Sequence, residues 1–250
     1  MTTQVFGRNL VILPRTGSTN DVAKDLASQD APEGTVVLAD EQTAGRGRLG
    51  RRWSALPGTC LLCSILFRPD LLPTQAQWLT MLCALAAADA VEQVTGLEVS
   101  LKWPNDLIVQ AKLNAQNWNK LAGILTETGV TGERLSFVVV GIGVNVNVAP
   151  RDLPSLAPDA TSVLAETGQE ADRVALLAAL LAGVEARYAR LRAGENPYTE
   201  WAARLATLGQ RVDVTTPEGT LTGVAETVGE DGALLVRTSD GVLYTTYITG

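Results

Sequence analysis

Residues 136–144, SFVVVGIGV, are apolar at nearly every position. A strand wetted on one face alternates apolar and polar side chains, whereas an unbroken apolar run belongs to a strand covered on both faces. Residues 59–67, TCLLCSILF, read the same way. The chain therefore has to build a sheet with a covered centre, and helices have to supply the cover. Residues 75–95 carry Trp78, Met81, Leu82 and Leu85 at helical spacing, a stripe that reads as core. Asp172 is placed to cap a helix over 173–192. A shorter helix starts at Ser18 as N-cap, with Asp21 as its capping-box partner, and runs to about Ser28. Another short helix fits 197–207. Further strands read at 9–13, 35–40, 99–103, 106–109 and 120–127. Residues 42–58 read as a long loop and 149–160 as a Pro-rich irregular stretch. Strands and helices do not alternate strictly, so the expected class is α/β (α+β), a mixed sheet packed with helices, not a βαβ repeat.

After Gly209 the pattern changes. Strand-like runs alternate with the turn signals TPEG, GEDG and SDG, which predicts four or five short strands in a small β-barrel. About 40 residues rarely hold a core alone, so this unit is expected to dock on the rest. The division predicted is 1–207 for the larger domain and 208–250 for the small one.

Composition narrows the chemistry. Of 250 residues none is histidine, which removes His general bases, His triads and the common zinc sites. Twenty basic against 27 acidic residues give a net charge of −7, which argues against a general nucleic-acid coat. Cys60 and Cys63 have C-x-x-C spacing, but an offset of three along a strand points them to opposite faces. With Cys83 they read as small core residues in a reducing compartment. No apolar run reaches the length of a membrane span, and the N-terminus lacks the features of a signal peptide, so a cytoplasmic protein with no membrane partner is expected.

One segment stands out in this acidic chain. From Gln42 to Pro69 there are five arginines and no acid, and Arg46, Arg48, Arg51 and Arg52 fall within seven residues. Such a cluster is self-repelling unless an anion joins it, and the arginine fork suits carboxylate and phosphate oxygens. Gly45, Gly47 and Gly50 let the backbone bend and approach a ligand, and Trp53 is placed to act as a lid. These glycines form a literal G-x-G-x-x-G, yet Pro57, Gly58 and a strand follow where a dinucleotide site needs a helix. Lys102-Trp-Pro-Asn-Asp106 reads as a stiffened turn, and Lys120-Leu-Ala-Gly123 opens an apolar strand with a lysine at its mouth. Gly141-Ile-Gly-Val-Asn145 ends the central strand with space cleared and an amide that both donates and accepts.

Together these segments resemble the biotin–protein ligases. Ser18-Thr19-Asn20, Gln42, the 45–53 loop, the KWPND turn, KLAG, GIGVN and the Ala160-Thr-Ser sequence match in order and approximate spacing over nearly the whole chain. The resemblance implies a class II synthetase-like catalytic domain with a small C-terminal SH3-like β-barrel. It implies an ATP-dependent, AMP-forming reaction. Biotin's carboxylate attacks the α-phosphorus of MgATP to give biotinyl-5′-AMP, and a lysine of a biotin carboxyl carrier domain then takes the acyl group. By the same resemblance Ser18, Thr19, Asn20, Gln42 and Gly123 line the biotin side. Arg46, Gly47 and Arg48 hold its carboxylate or the new phosphoester. Gly45, Arg51, Trp53, Lys102 and Asn145 serve the nucleotide, with Asn145 at the adenine. Lys120 contacts the carboxyl–phosphate junction, and Asp106 orients the acceptor lysine. Mg²⁺ is expected to arrive with ATP and not on protein ligands, and the protein to be a monomer or homodimer. The chain starts about 17 residues before Ser18, so neither a helix-turn-helix domain nor DNA binding is expected.

Two departures from the family pattern bear on the site. Residues 110–119 lengthen the connection before Lys120 and add Lys112 as a competing anion partner, and the tail lacks a late arginine. Lipoate–protein ligases, the nearest alternative, usually continue the arginine–glycine pattern into His-Asp, which is absent here. A non-catalytic RNA- or nucleotide-binding module is the alternative from another class.

Overall fold

The computed structural model describes residues 3–111, 118–216 and 219–247. Lys112 and most of the connection before Trp118 lie outside them. Seven strands, β1 (Leu10–Thr16), β2 (Val36–Gln42), β3 (Cys60–Phe67), β4 (Ser100–Lys102), β5 (Asp106–Gln110), β6 (Trp118–Thr131) and β7 (Arg134–Asn145), form one mixed sheet. Its order is β1-β2-β3-β7-β6-β5-β4. Only β1 and β2 pair in parallel, and helix α1 (Thr19–Ser28) makes the crossover that parallel pairing requires.

The two apolar runs occupy the centre. β3 pairs β7 over eight consecutive residues, and every side chain of β3 is buried. On one face Leu61, Cys63, Ile65 and Phe67 meet α2 (Gln77–Thr95) and α4 (Arg173–Arg192). On the other, Leu66 meets Ala23 and Ala27 of α1, while Cys60 and Leu62 pack against Val148 and Leu153. Cys60 and Cys63 thus fall on opposite faces, as the strand period requires, and all three cysteines are buried and free. Burial pushes the Cys63 thiol up to about 12 and raises the Cys83 thiol well above its ordinary value.

Beyond Gly209, β8 (Arg211–Thr216), β9 (Gly219–Val228), β10 (Leu234–Arg237) and β11 (Leu243–Thr246) form an antiparallel sheet in the order β11-β10-β9-β8. Val214, Ala225, Val228, Leu234 and Val236 on this sheet join the main core. Two indoles pin the join: Trp78 donates to the Glu230 carbonyl (2.9 Å) and Trp103 to the Gly232 carbonyl (2.8 Å).

Local expectations needed correction in four places. Ser18 has the extended backbone of an N-cap, but its side chain makes no cap bond, and Asp21 turns to cations instead of closing a capping box. The helix expected over 197–207 is α5 (Tyr198–Ala203), cut short where Leu205 bridges to Leu101. Strands β6 and β7 run past both ends of the expected segments as a long hairpin. Directly after the irregular stretch comes a short unforeseen helix, α3 (Val163–Thr167), with the Ser162 hydroxyl accepting from the Ala165 amide. Asp172 caps α4 through the amides of Val174 and Ala175. Among the described residues no helix is long and apolar enough to cross a membrane.

Candidate active site

A cavity of about 470 Å³ opens between the 45–53 loop, the start of α1, the 103–106 turn and the edge of the C-terminal sheet. Its lining contains every site residue expected from sequence except Gly45. Gly45 closes the base of the loop, where its carbonyl accepts from the Trp53 amide at 3.0 Å.

Buried polar groups build one wall. Ser18, Thr19 and Asn20 sit at the mouth of α1, each less than 5% exposed. Gln42 Oε1 accepts from the Thr19 amide at 2.7 Å and from its hydroxyl at 3.0 Å. Ser64 Oγ lies 2.8 Å from Thr19 Oγ1 and 2.6 Å from Asn20 Oδ1. Asn20 Nδ2 donates to Glu127 at 2.8 Å. Gly141 is required beneath it, because a Cβ there would collide with Asn20 Oδ1. Thr19, Asn20, Gln42 and Ser64 are hydrogen-bonded to one another and to Glu127, which makes their burial tolerable and locks their orientation toward the cavity.

The loop itself is a small hairpin. Arg46 bridges Arg52 in antiparallel register, and the Gly47 amide donates to the Arg51 carbonyl at 2.7 Å. Leu49 at the tip is left-handed (φ 55°), a strained conformation for a branched side chain. The Arg46 guanidinium is committed to carboxylates: Nη2 lies 2.6 Å from Asp21 Oδ1 and 2.8 Å from Glu127 Oε2. Burial lowers the Arg48 pKa, opposed by Asp106 and reinforced by Arg51.

Trp53 folds inward. Its indole lies over Gly123 and Gly143, register partners on β6 and β7. A Cβ at Gly143 would come within 2.8 Å of three ring atoms, and one at Gly123 within 2.9 Å of a fourth. The Trp53 Nε1 is buried without a hydrogen-bond partner among the described residues, leaving a donor for whatever enters. Lys120 Nζ stands 5.7 Å from the ring centroid, a cation–π distance, and 2.7 Å from Asp106 Oδ1.

A bulge makes this grouping possible. Leu107 pairs Ala122 and Ile108 pairs Lys120, so Leu121 is the extra residue. Leu121 and Ala122 therefore both point into the core, and Lys120 comes to the same face as Gly123. Asn145, at the end of β7, donates to the Thr161 carbonyl at 3.0 Å and faces Cys60. Lys102 is exposed at the cavity rim.

Sequence reasoning missed Ser64, Glu127 and the C-terminal wall, where Asp213, Thr215, Thr246 and Tyr247 line the cavity. Ser64 did carry a signal, as the polar residue inside TCLLCSILF. Among the described residues no group of His, Cys, Asp and Glu is placed to hold a metal ion.

Residues 12–145, which hold the mixed sheet, the arginine–glycine hairpin and the glycine floor, match the biotin/lipoate A/B protein ligase family. Residues 207–246 match the biotin protein ligase C-terminal domain. A biotin–[acetyl-CoA-carboxylase] ligase of Mycobacterium tuberculosis is 37% identical, over 91% of this chain and 82% of its own. The bifunctional ligase/repressor BirA of Bacillus subtilis is 35% identical, over 96% of this chain and 73% of its own. The biotin protein ligase of Aquifex aeolicus, solved in complex with biotin and ATP, superposes with a TM-score of 0.75 at 29% identity, over 95% of each chain. The chain belongs to the biotin protein ligase family.

Proposed function

We propose that this protein activates biotin with ATP and transfers it to a lysine of a biotin carboxyl carrier domain. The observation that carries the reading is the Lys120–Asp106 pair set beside the Trp53-covered glycine floor. Residues 1–207 form the catalytic unit and 208–250 the C-terminal one, in a cytoplasmic enzyme.

In the first step a biotin carboxylate oxygen bonds to the α-phosphorus of ATP. The bond to the β-phosphate oxygen breaks, and pyrophosphate leaves. Two anions must meet, so cations have to be fixed there beforehand. Ser18, Thr19, Asn20 and Gln42 present donors and acceptors to the ureido head. Gly47 and Arg48 meet the carboxylate and the phosphoester, Arg51 and Lys102 the outer phosphates, and Asn145 the adenine. Mg²⁺ travels with ATP, supplying further charge compensation. Trp53 excludes water from the acyl phosphate, which would otherwise hydrolyse.

Lys120 then exchanges partners. The acyl-phosphate oxygen takes the place of Asp106, and Asp106 becomes available to the incoming amine. That amine, with an ordinary pKa of about 10.4, must pass a proton to Asp106 before it attacks. Its nitrogen bonds to the acyl carbon, the carbon–oxygen bond to phosphate breaks, and AMP leaves.

The test uses MgATP with either biotin or lipoate, followed by mass spectrometry. Biotinyl-AMP without lipoyl-AMP is expected. Absence of both adenylates overturns the reading, and lipoyl-AMP alone redirects it.

A further inference from the structure

Arg46 differs from the other loop arginines. Its guanidinium touches Asp21 and Glu127, neither of which lines the cavity. Lys24 closes the cluster, 3.0 Å from Asp21 and 2.8 Å from Glu127. Two acids and two bases from three separate elements thus form a neutral four-membered network. Glu127 is its hub: one carboxylate receives Arg46, Lys24 and the Asn20 amide. It therefore joins the loop that covers the acyl phosphate to the wall assigned to the ureido head.

We infer that Glu127, with Asp21, is a positioning residue that clasps the root of the arginine–glycine hairpin and holds it over the cavity before any ligand binds. Arg46 is the handle of this clasp. Because Arg46 also bridges Arg52, fixing one leg of the hairpin fixes both, and the tip that carries Arg48 and Arg51 is left to adapt. The clasp works through geometry: a hairpin carrying four arginines would otherwise be driven outward by its own charge, and the two carboxylates hold it down. Glu127 is about one-fifth exposed and Asp21 about one-half, so the network is only partly screened.

This inference rests on the ligase reading for its consequence, but its main test needs no ligand. Glu127→Gln preserves an acceptor for Asn20 and removes the charge that holds Arg46 and Lys24. Trypsin cuts after arginine, so the hairpin carries its own reporter sites. In the ligand-free protein, Glu127→Gln and Asp21→Asn are each expected to raise cleavage within residues 46–52 by about fivefold, because cleavage follows the population of the open form. The melting midpoint is expected to stay near that of the unaltered protein, which a role in general stability would move. The double variant is expected to fall short of the product of the single effects, since both act on one guanidinium. Asp21 is exposed enough that its replacement cannot prevent folding. Cleavage of the hairpin at the unaltered rate in both variants overturns the inference, as does an equal rise at sites elsewhere. A second arm measures retention of the acyl-adenylate, which Glu127→Gln is expected to release faster. If no adenylate forms with any acid, that arm tests the ligase reading and the trypsin result still stands.

Discussion

Replacing Gly143 by alanine tests whether the glycine floor exists to receive Trp53. The added Cβ would lie 2.7–2.8 Å from Cε2, Cζ2 and Nε1 of the indole. Carbon pairs are most stable at about 3.5–4.0 Å, so the ring has to retreat by roughly 1 Å. The strand cannot yield, since β7 is hydrogen-bonded on both sides at the centre of the sheet. The strain therefore falls on the loop. Overpacking of this kind costs about 1–3 kcal/mol, which lowers the population of the covered site by roughly 5- to 150-fold. Adenylate formation measured against biotin concentration should show a KM raised by a comparable factor, with the melting midpoint little changed. The decisive control is the same substitution in a Trp53→Ala background, where the obstacle is gone. A double-mutant cycle then yields a coupling as large as the effect itself. If Gly143→Ala impairs both backgrounds equally, the floor serves something other than the indole and the argument fails.

Other expectations follow from the same geometry. Lys120→Ala should cut adenylate formation by on the order of 100-fold or more while the protein still melts cooperatively; near-normal turnover would refute its role at the acyl phosphate. Asp106→Asn should still form the adenylate but transfer it slowly to a carrier lysine, seen as accumulation of enzyme-bound acyl-AMP in a single turnover. Ser64→Ala leaves Asn20 Oδ1 short of its donor, which should cost about 1–3 kcal/mol and weaken biotin binding by calorimetry. For the thiols the sign is set by burial: a folded-state value of about 12 for Cys63 exceeds its unfolded value, so the native thiol stays protonated and the fold loses stability as pH rises above about 9. Native protein at pH 8 should resist iodoacetamide and react only once unfolded.

The sheet centre was legible because burial on both faces leaves a direct trace in sequence, an apolar run without alternation. The short helices were less so. At Ser18 the residue type suited a cap, but tertiary contacts recruited its neighbours instead: Thr19 and Asn20 turned to Gln42 and Ser64, and Asp21 to Arg46. In the site, the KLAG motif shows the limit most clearly. In a regular strand Lys120 and Gly123 would face opposite ways, so periodicity alone separates two residues that lie together. The bulge at Leu121 reverses that, and a bulge leaves no sure trace in one sequence, since it is set by how two strands compete for register. Glu127 was invisible for a similar reason. Its partners lie 81 to 107 residues away, and nothing local distinguishes it from a solvated strand acid.

The arginine cluster carries a wider argument. Read along the chain, four arginines in seven residues demand an anion, and the ligand is the obvious supplier. Folding supplies anions first. Arg46 finds Asp21 and Glu127, Lys120 finds Asp106, and Asp106 also favours the charged form of Arg48. The site is thus not a bare positive pocket but a set of cations held by carboxylates of unequal standing. Asp21 and Glu127 lie outside the cavity, whereas Asp106 lines it. An entering phosphate therefore competes with Asp106 for Lys120, and in the proposed mechanism that carboxylate then serves the acceptor amine. The separation predicts that Glu127→Gln and Asp106→Asn fail differently. The first loosens the cover over an intact catalytic pair, and the second spares the cover but strands the adenylate. Variants that slowed both half-reactions in the same proportion would show that the two groups of carboxylates are not separate, and the division drawn here between holding the loop and handling the acyl group would fall.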